Sequence, residues 1–362
     1  MGDIPQRLGA VRADLAGQGL GALVVSQPDN RRYLTGFTGS AGVVLVSADR
    51  AMLLTDSRYY GQAEREAPDF SLERVGYRVF ERLSEVLGEL DLKRVGFEAD
   101  AVTVSELERL RGLAPEVEWR ATSGLVERHR AIKSEAEIGT IRCAAAIADA
   151  AMAHAAAVLR PGISELALAW EIEVFMREHG AEGLAFDTIV AAGENGALPH
   201  HHPSQRRIEA GEPVVVDIGA RVDGYNSDLT RTFALGPVRD PEFETVYAIV
   251  AEANRTATRG IRAGLTGADA DRLARDVIDA AGYGDFFGHG LGHGVGLQIH
   301  EGPRLSFLAD EHPLGAGMVI TIEPGIYLPG RFGVRIEDLV VVRDNGVEVL
   351  SAVEKQPAVV PA

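Results

Sequence analysis

A single cysteine, Cys143, is all that 362 residues carry, which excludes a disulfide framework and any cysteine-based metal cluster. In the alanine-rich stretch "TIRCAAAIADAAMAHA" the expected role for Cys143 is a buried structural thiol. Basic residues are also scarce, 36 Lys and Arg against 53 Asp and Glu, for a net charge of −17. Such a chain repels a phosphate backbone, and no Lys/Arg-rich run with interleaved aromatics offsets this, so nucleic acid is not an expected partner. The start "MGDIPQRLGA" lacks an apolar signal core, and no apolar run approaches the ~20 residues that span a bilayer. A cytoplasmic protein without a membrane partner is therefore expected. Low-complexity tracts are missing too, and 46% hydrophobic with 25% charged residues is the make-up of an ordinary folded chain. Its length exceeds the roughly 250–300 residues at which single cores stop growing, which favours two domains.

Residues 1–124 alternate helix-like and strand-like stretches. A helix is expected near "IPQRLGAVRADLAGQG", and "ALVVS", "GVVLVS" and "AMLLTD" read as short strands of an α/β domain. A second domain, 125–362, then follows. Near its start, Ser134 and Glu137 have the spacing of a capping box and open a long alanine-rich helix. This second part repeats itself. "LRPGISELALAWEIEVFMREHG" (159–180) is weakly echoed by "IRAGLTGADADRLARDVIDAAG" (261–282). "EAGEPVVVDIG" (209–219) is echoed more closely by "GAGMVITIEPG" (315–325). Each copy has a His-bearing segment between helix and strand, so a pseudo-twofold site shared by both halves is expected.

The acids sit at the ends of apolar strands. "PVVVDIGARVDGYNSDLTRTF" reads as a hairpin turning at Asp223-Gly224. In that register Gly219 faces Asp228, and Asp217 lies on the same face, diagonal to Asp228 and within reach of one shared ion. Two surface acids near a turn is the plain alternative, but a carboxylate after three valines needs strong compensation, which a metal supplies. The second copy offers Glu323 after its own apolar run and Glu337 in "FGVRIEDLVVV". There Arg335 and Glu337 share a strand parity, so the arginine could orient the carboxylate or a substrate oxygen; Asp338 points the other way.

Six of ten histidines fall in two clusters, at 200–202 and at 289, 293 and 300. For His129, His154, His179 and His312 a structural role is expected. Glycines occupy every even position from 288 to 296 in "GHGLGHGVGLQIHE", which fails the dinucleotide-loop spacing in every register. If that segment is extended, His289 and His293 share a face and His300 needs a bend to join them. Imidazole with four carboxylates is a hard, oxygen-rich donor set able to hold two divalent ions, manganese fitting best, with cobalt or zinc as alternatives. Two ions could activate a bridging hydroxide and polarise a carbonyl.

The order Asp217, Asp228, His293, Glu323, Glu337, carried by "DIGA", "SDLTRTF", "GHGVG", "TIEPGIY" and "GVRIEDLV", resembles the dinuclear metallopeptidases of the pita-bread fold. That family includes aminopeptidase P, prolidase and methionine aminopeptidase. The resemblance implies an α/β (α+β) protein, with a creatinase/prolidase-like N-terminal domain and a pita-bread catalytic domain. It makes Asp217, Asp228, His293, Glu323 and Glu337 the metal ligands, Glu323 also the proton relay, and Glu337 the bridge. It makes His200, rather than His201 or His202, the histidine upstream of the first aspartate. His289 and His300 become groups that position substrate, with Tyr327 and Arg335 in support. "YLTGFTGSAG" (33–42) and "LTDSRYYGQA" (54–63) are similar to the N-terminal domain of Xaa-Pro aminopeptidases. The expectation is thus an Xaa-Pro aminopeptidase acting on peptides with proline second, as a homodimer. The alternative is an Xaa-Pro dipeptidase. A non-catalytic pita-bread binding protein, or a metal-independent hydrolase of the creatinase type, would be expected to lack members of this ligand set.

Overall fold

Runs such as "ALVV", too short for helices and rich in β-branched residues, pair into sheets because each buries its side chains on both faces. The computed structural model describes residues 4–309, 311–355 and, as backbone, 359–360, and the chain divides into two units, Met1–Arg130 and Ala131–Ala362. In the first, strands β1 (Ala22–Val25), β2 (Val43–Ser47), β3 (Ala51–Thr55), β4 (Ser71–Arg74), β5 (Arg94–Glu98) and β6 (Glu118–Thr122) form one sheet in the order β4-β3-β2-β1-β5-β6. The β1–β2 and β2–β3 pairs are antiparallel and the others parallel. Helices α1 (Ile4–Gly17), α2 (Pro28–Thr35), α3 (Tyr60–Glu66), α4 (Val79–Glu89), α5 (Val104–Leu113) and α6 (Glu127–Ala131) complete the α/β pattern.

The second unit opens with α7 (Glu135–Val158), capped as expected by the reciprocal Ser134–Glu137 box. Its buried stripe is Ile138, Ile141, Ala144, Ala145, Ala148, Ala151, Met152 and Ala155. Two expectations are corrected here. Cys143 falls off that stripe and is exposed, because helical periodicity sends it to the opposite face from Ala144 and Ala148. By length and hydropathy α7 is also apolar enough to cross a membrane, yet its apolar face packs into the core of this unit.

After α7 come α8 (Glu165–Glu178), β7 (Gly183–Leu184), β8 (Ile189–Ala192), β9 (Pro213–Ile218), β10 (Ala220–Val222), β11 (Tyr225–Asn226) and β12 (Leu229–Leu235). Helices α9 (Phe243–Gly260) and α10 (Gly267–Ala280) start the second copy. It continues through β13 (Gly292–Gly294), β14 (Glu301–Leu305), β15 (Val319–Ile322), β16 (Gly325–Leu328), β17 (Phe332–Arg335), β18 (Asp338–Arg343) and β19 (Gly346–Val349). The repeat seen in the sequence is a repeat of hydrogen bonding. Gly162 N donates to Ile208 O at 2.8 Å and Ile208 N to Ile163 O at 2.9 Å; Gly264 N donates to Leu314 O at 2.8 Å and Leu314 N to Leu265 O at 2.7 Å. Bridges Ser164–Arg207 and Thr266–Pro313 match in the same way. Each copy buries a helix pair against its own sheet, α7 and α8 over β8, β9 and β12, and α9 and α10 over β15 and β18.

The hairpin forms in the expected register. Asp223 and Gly224 both have positive φ (44° and 75°), the turn that matches strand twist. Arg221 pairs Asn226, Val222 pairs Tyr225, and the same register continues into Leu229–Ile218 and Thr230–Asp217. The second copy departs from expectation at one point: β17 ends at Arg335 and β18 begins at Asp338, so Arg335 and Glu337 are not neighbours on one continuous strand.

Of the alternating glycines, Gly290, Gly292 and Gly294 give clearance to neighbouring backbone. A Cβ on Gly292 would lie 2.2 Å from Thr321 O, and one on Gly294 2.2 Å from Gly302 O. Gly292→Ala should therefore force β13 and β15 apart and cost about 1–3 kcal/mol, read as a lower urea midpoint; an unchanged midpoint would contradict this packing.

Candidate metal centre

Strand ends bring the acids together. Asp217 and Asp228 project from the hairpin formed by β9 and β12, and Glu337 from the link between β17 and β18. Ligand oxygens of these three lie within 4.8 Å of one another. From the other half, His293 on β13 places Nε2 3.3 Å from Glu323 Oε1 and 3.6 Å from Asp228 Oδ2. All five residues proposed as ligands thus form one connected cluster.

Its electrostatics are one-sided. Four carboxylates face one buried guanidinium, Arg335, whose Nη2 donates to Asp217 Oδ2 at 2.7 Å. Asp217 Oδ1 is buried and has no hydrogen-bond partner among the described residues. Among these residues alone, burial and then the charges of Glu337, Asp217 and Glu323 push Asp228 well above the usual carboxylate range. Burial, with Glu323 and Asp217, does the same to Glu337, and burial pushes Glu323 up to about 7. Carboxylates crowded in a dry site need cations to ionise together. His293 is prepared for the same purpose. Its Nδ1 lies 3.2 Å from Gly294 O, which fixes the proton there and leaves the Nε2 lone pair facing the acids. Burial lowers its pKa to about 4, so the ring is neutral, as a ligand must be. The donor set therefore fits divalent cations: oxygen-rich, with one imidazole and an orphaned carboxylate oxygen.

Around the acids lies a second set of polar contacts. Arg335 bonds Asp217, not Glu337 as the strand parity suggested, because the strand has ended between them. It also donates from Nη1 to Tyr327 Oη at 3.0 Å and to Pro199 O at 3.3 Å, and from Nε to Thr230 Oγ1 at 3.1 Å. Tyr327 Oη is 2.9 Å from His289 Nε2, and His289 Nδ1 is 2.8 Å from Gly290 O. Burial raises Tyr327 to about 12, and burial with Arg335 lowers His289 to about 4. A phenol O–H therefore donates to a neutral imidazole whose own proton goes to Gly290 O. After β13 the chain bends and stacks the His300 ring edge-on to His293, 4.3 Å between centroids. Burial and then the nearby His200 lower His300. His200 itself is exposed on the loop between β8 and β9, whereas His201 turns inward to Glu165 Oε2 at 2.9 Å. Three of the remaining histidines bear on structure: His129 pairs with Asp14, and His154 and His179 stack on Phe175.

Two threonines were missed by the sequence reading. Thr230 Oγ1 donates to Glu337 Oε2 at 2.7 Å, and Thr321 Oγ1 to Glu323 Oε1 at 3.1 Å while accepting from His293 N at 3.0 Å. Each stands two residues from an acid that flanks its strand, Asp228 before β12 and Glu323 after β15, so strand parity was the available signal. Arg304 was missed as well. It is exposed and is the direct cross-strand partner of His293, which puts its side chain on the same sheet face.

Comparison with known proteins agrees with this geometry. Residues 139–344 match metallopeptidase family M24, and residues 7–132 match the creatinase/prolidase N-terminal domain. The chain is 39% identical over 333 residues to the Xaa-Pro dipeptidase of Pyrococcus furiosus, covering 92% of this chain and 93% of that one. Among solved structures, an Xaa-Pro dipeptidase from Bacillus anthracis superposes with a TM-score of 0.96 at 41% identity, over 99% of this chain and 100% of that one. An X-Pro aminopeptidase from Thermotoga maritima does so with a TM-score of 0.88 at 38% identity, over 94% and 98%. The protein belongs to the M24 metallopeptidases, a family of hydrolases whose members use divalent metals.

Raised carboxyl pKa values have a testable sign. Without cations the carboxyls of Asp228, Glu323 and Glu337 hold more protons in the folded site than in the unfolded chain, so their contribution to stability falls as pH rises through about 4 to 7, while the lowered His289 and His293 contribute in the opposite sense. Cations bind the ionised carboxylates, so the gain in Tm on adding Mn²⁺ to metal-stripped protein should be larger at about pH 7 than at about pH 5. Asp228→Asn should lose most of that gain together with activity. A gain independent of pH, or one retained in the variant, would contradict the ligand assignment.

Proposed function

We propose that the protein hydrolyses the Xaa-Pro bond of short peptides with two divalent ions, manganese first among the candidates, and that its preferred substrate is the dipeptide. The carrying observation is the cluster of Asp217, Asp228, His293, Glu323 and Glu337, flanked by Arg304 on the strand opposite His293. A dipeptidase differs from an aminopeptidase in having to recognise a free carboxylate on the proline itself. Arg304 offers a guanidinium on the site's face for that carboxylate, and the Xaa-Pro dipeptidases of P. furiosus and B. anthracis support the same choice. The aminopeptidase expected from the N-terminal motifs remains the second reading, supported by the T. maritima relative.

Divalent ions held by these residues would polarise the scissile carbonyl and acidify water. The chain's own groups do the rest. Arg335 fixes Asp217 and, through Tyr327, the His289 ring. Glu323, with Thr321 steadying Oε1, takes the proton from the attacking water and passes it to the proline nitrogen as the C–N bond breaks. His289, a neutral ring bonded to Tyr327, His300, packed on His293, and the exposed His200 are able to hydrogen-bond the substrate.

Metal-stripped protein restored with Mn²⁺ should cleave Ala-Pro and leave Ala-Pro-Ala largely intact. Arg304→Ala should raise KM for Ala-Pro by roughly tenfold or more, the loss of about one charge-assisted hydrogen bond, with a smaller change in kcat. Release of alanine from Ala-Pro-Ala as efficiently as from Ala-Pro would move the assignment to the aminopeptidase.

A further inference from the structure

Glu165 is a carboxylate outside the metal centre that the reaction does not use. It follows the helix-capping Ser164 at the start of α8, where an acid suits the helix dipole, yet it is fully buried. Burial at that cost calls for several partners, and there are five. Oε1 accepts from Ala192 N at 2.9 Å and Asn195 Nδ2 at 2.9 Å. Oε2 accepts from His201 Nε2 at 2.9 Å, Ser204 N at 3.1 Å and Ser204 Oγ at 2.7 Å. One oxygen thus holds the start of the segment 192–204 and the other holds its end.

Between the two grips stand Pro199, whose carbonyl accepts from Arg335, and His200. Local backbone bonds, Leu198 N to Asn195 O at 2.9 Å and His201 N to Leu198 O at 3.1 Å, and the close approach of Gly196 to Gly333 hold the rest of the stretch, while Leu198, 55% exposed, and His200 present their side chains to solvent. The other half of the repeat is built alike. Asp271, fully buried on α10, accepts from Leu291 N at 2.9 Å and binds Arg275, whose Nη2 donates to His289 O at 2.7 Å. In both copies a buried acid on the second helix grips the segment that carries a histidine to the site.

We propose that Glu165, acting through His201 and Ser204, is the positioning residue for His200. The proposal rests on the function above only in taking His200 to bear on substrate. A displacement of about 1 Å can cost around 10²-fold in rate. Glu165→Gln should therefore lower kcat/KM for Ala-Pro by one to two orders of magnitude, with Mn²⁺ affinity by calorimetry within about twofold of the parent. His201→Ala, which removes a single grip, should do so more mildly. In a His200→Ala background neither change should cost anything further, because the group they position is gone.

Equal fractional losses in both backgrounds, lost Mn²⁺ binding, or a fully active His200→Ala protein would overturn the proposal. Hydrogen exchange tests it without turnover: Glu165→Gln should raise amide exchange across 193–204 and leave 213–218 protected. Unchanged exchange across 193–204 overturns it whatever the substrate proves to be, whereas raised exchange in a protein inactive on Ala-Pro supports the clamp and rejects only the function.

Discussion

Three carboxylates, Asp217, Asp228 and Glu337, with ligand oxygens within 4.8 Å of one another, joined to Glu323 through His293 and opposed by the buried Arg335, are the constraint that organises this molecule. Left to themselves they repel, and the structure answers only part of that repulsion. Arg335 answers Asp217, Thr230 answers Glu337, and Thr321 answers Glu323. Asp217 Oδ1 is left buried with no hydrogen-bond partner among the described residues. An apolar replacement would make a more stable core, since unpaired buried charge is costly. A site kept at that cost is built to be completed by cations.

The duplicated architecture explains how so many acids reach one place. Each half contributes a strand ending in an acid and a histidine-bearing segment, and a helix pair buries the back of each sheet. Helices α8 and α10 do more than cover the core. Through Glu165 in one copy and Asp271 with Arg275 in the other, they hold the segments that carry His200 and His289. Rigid elements thus support the loops nearest the chemistry, where a small error in placement is expensive.

Much of this was legible in the sequence, for identifiable reasons. The Asp223-Gly224 turn sets the hairpin register, and register sets which face each acid occupies. The repeat was legible because the positive φ of Gly162 and Gly264 (85° and 91°) and the capping side chains of Ser164 and Thr266 select the same residue types at both helix starts. What could not be read depended on distance in space. The partner of Arg335 turned out to be Asp217, 118 residues away, because β17 ends before Glu337. Cys143 was misjudged from composition, where helical phase decides exposure. Nothing in the sequence marks Glu165 out from an ordinary first-turn acid, since the residues that donate to it lie 27 to 39 positions further on. The choice between dipeptide and longer substrates was not legible in the five ligand motifs, which aminopeptidases and dipeptidases share.

The central claim is that the acid cluster exists to hold two divalent cations. Its most direct test is calorimetric titration of Mn²⁺ into metal-stripped protein. Two ions per chain, each lost or weakened when Asp217 or Glu337 is replaced by its amide, is the predicted result. Binding of no more than a fraction of one ion, or two ions indifferent to both substitutions, would contradict the account.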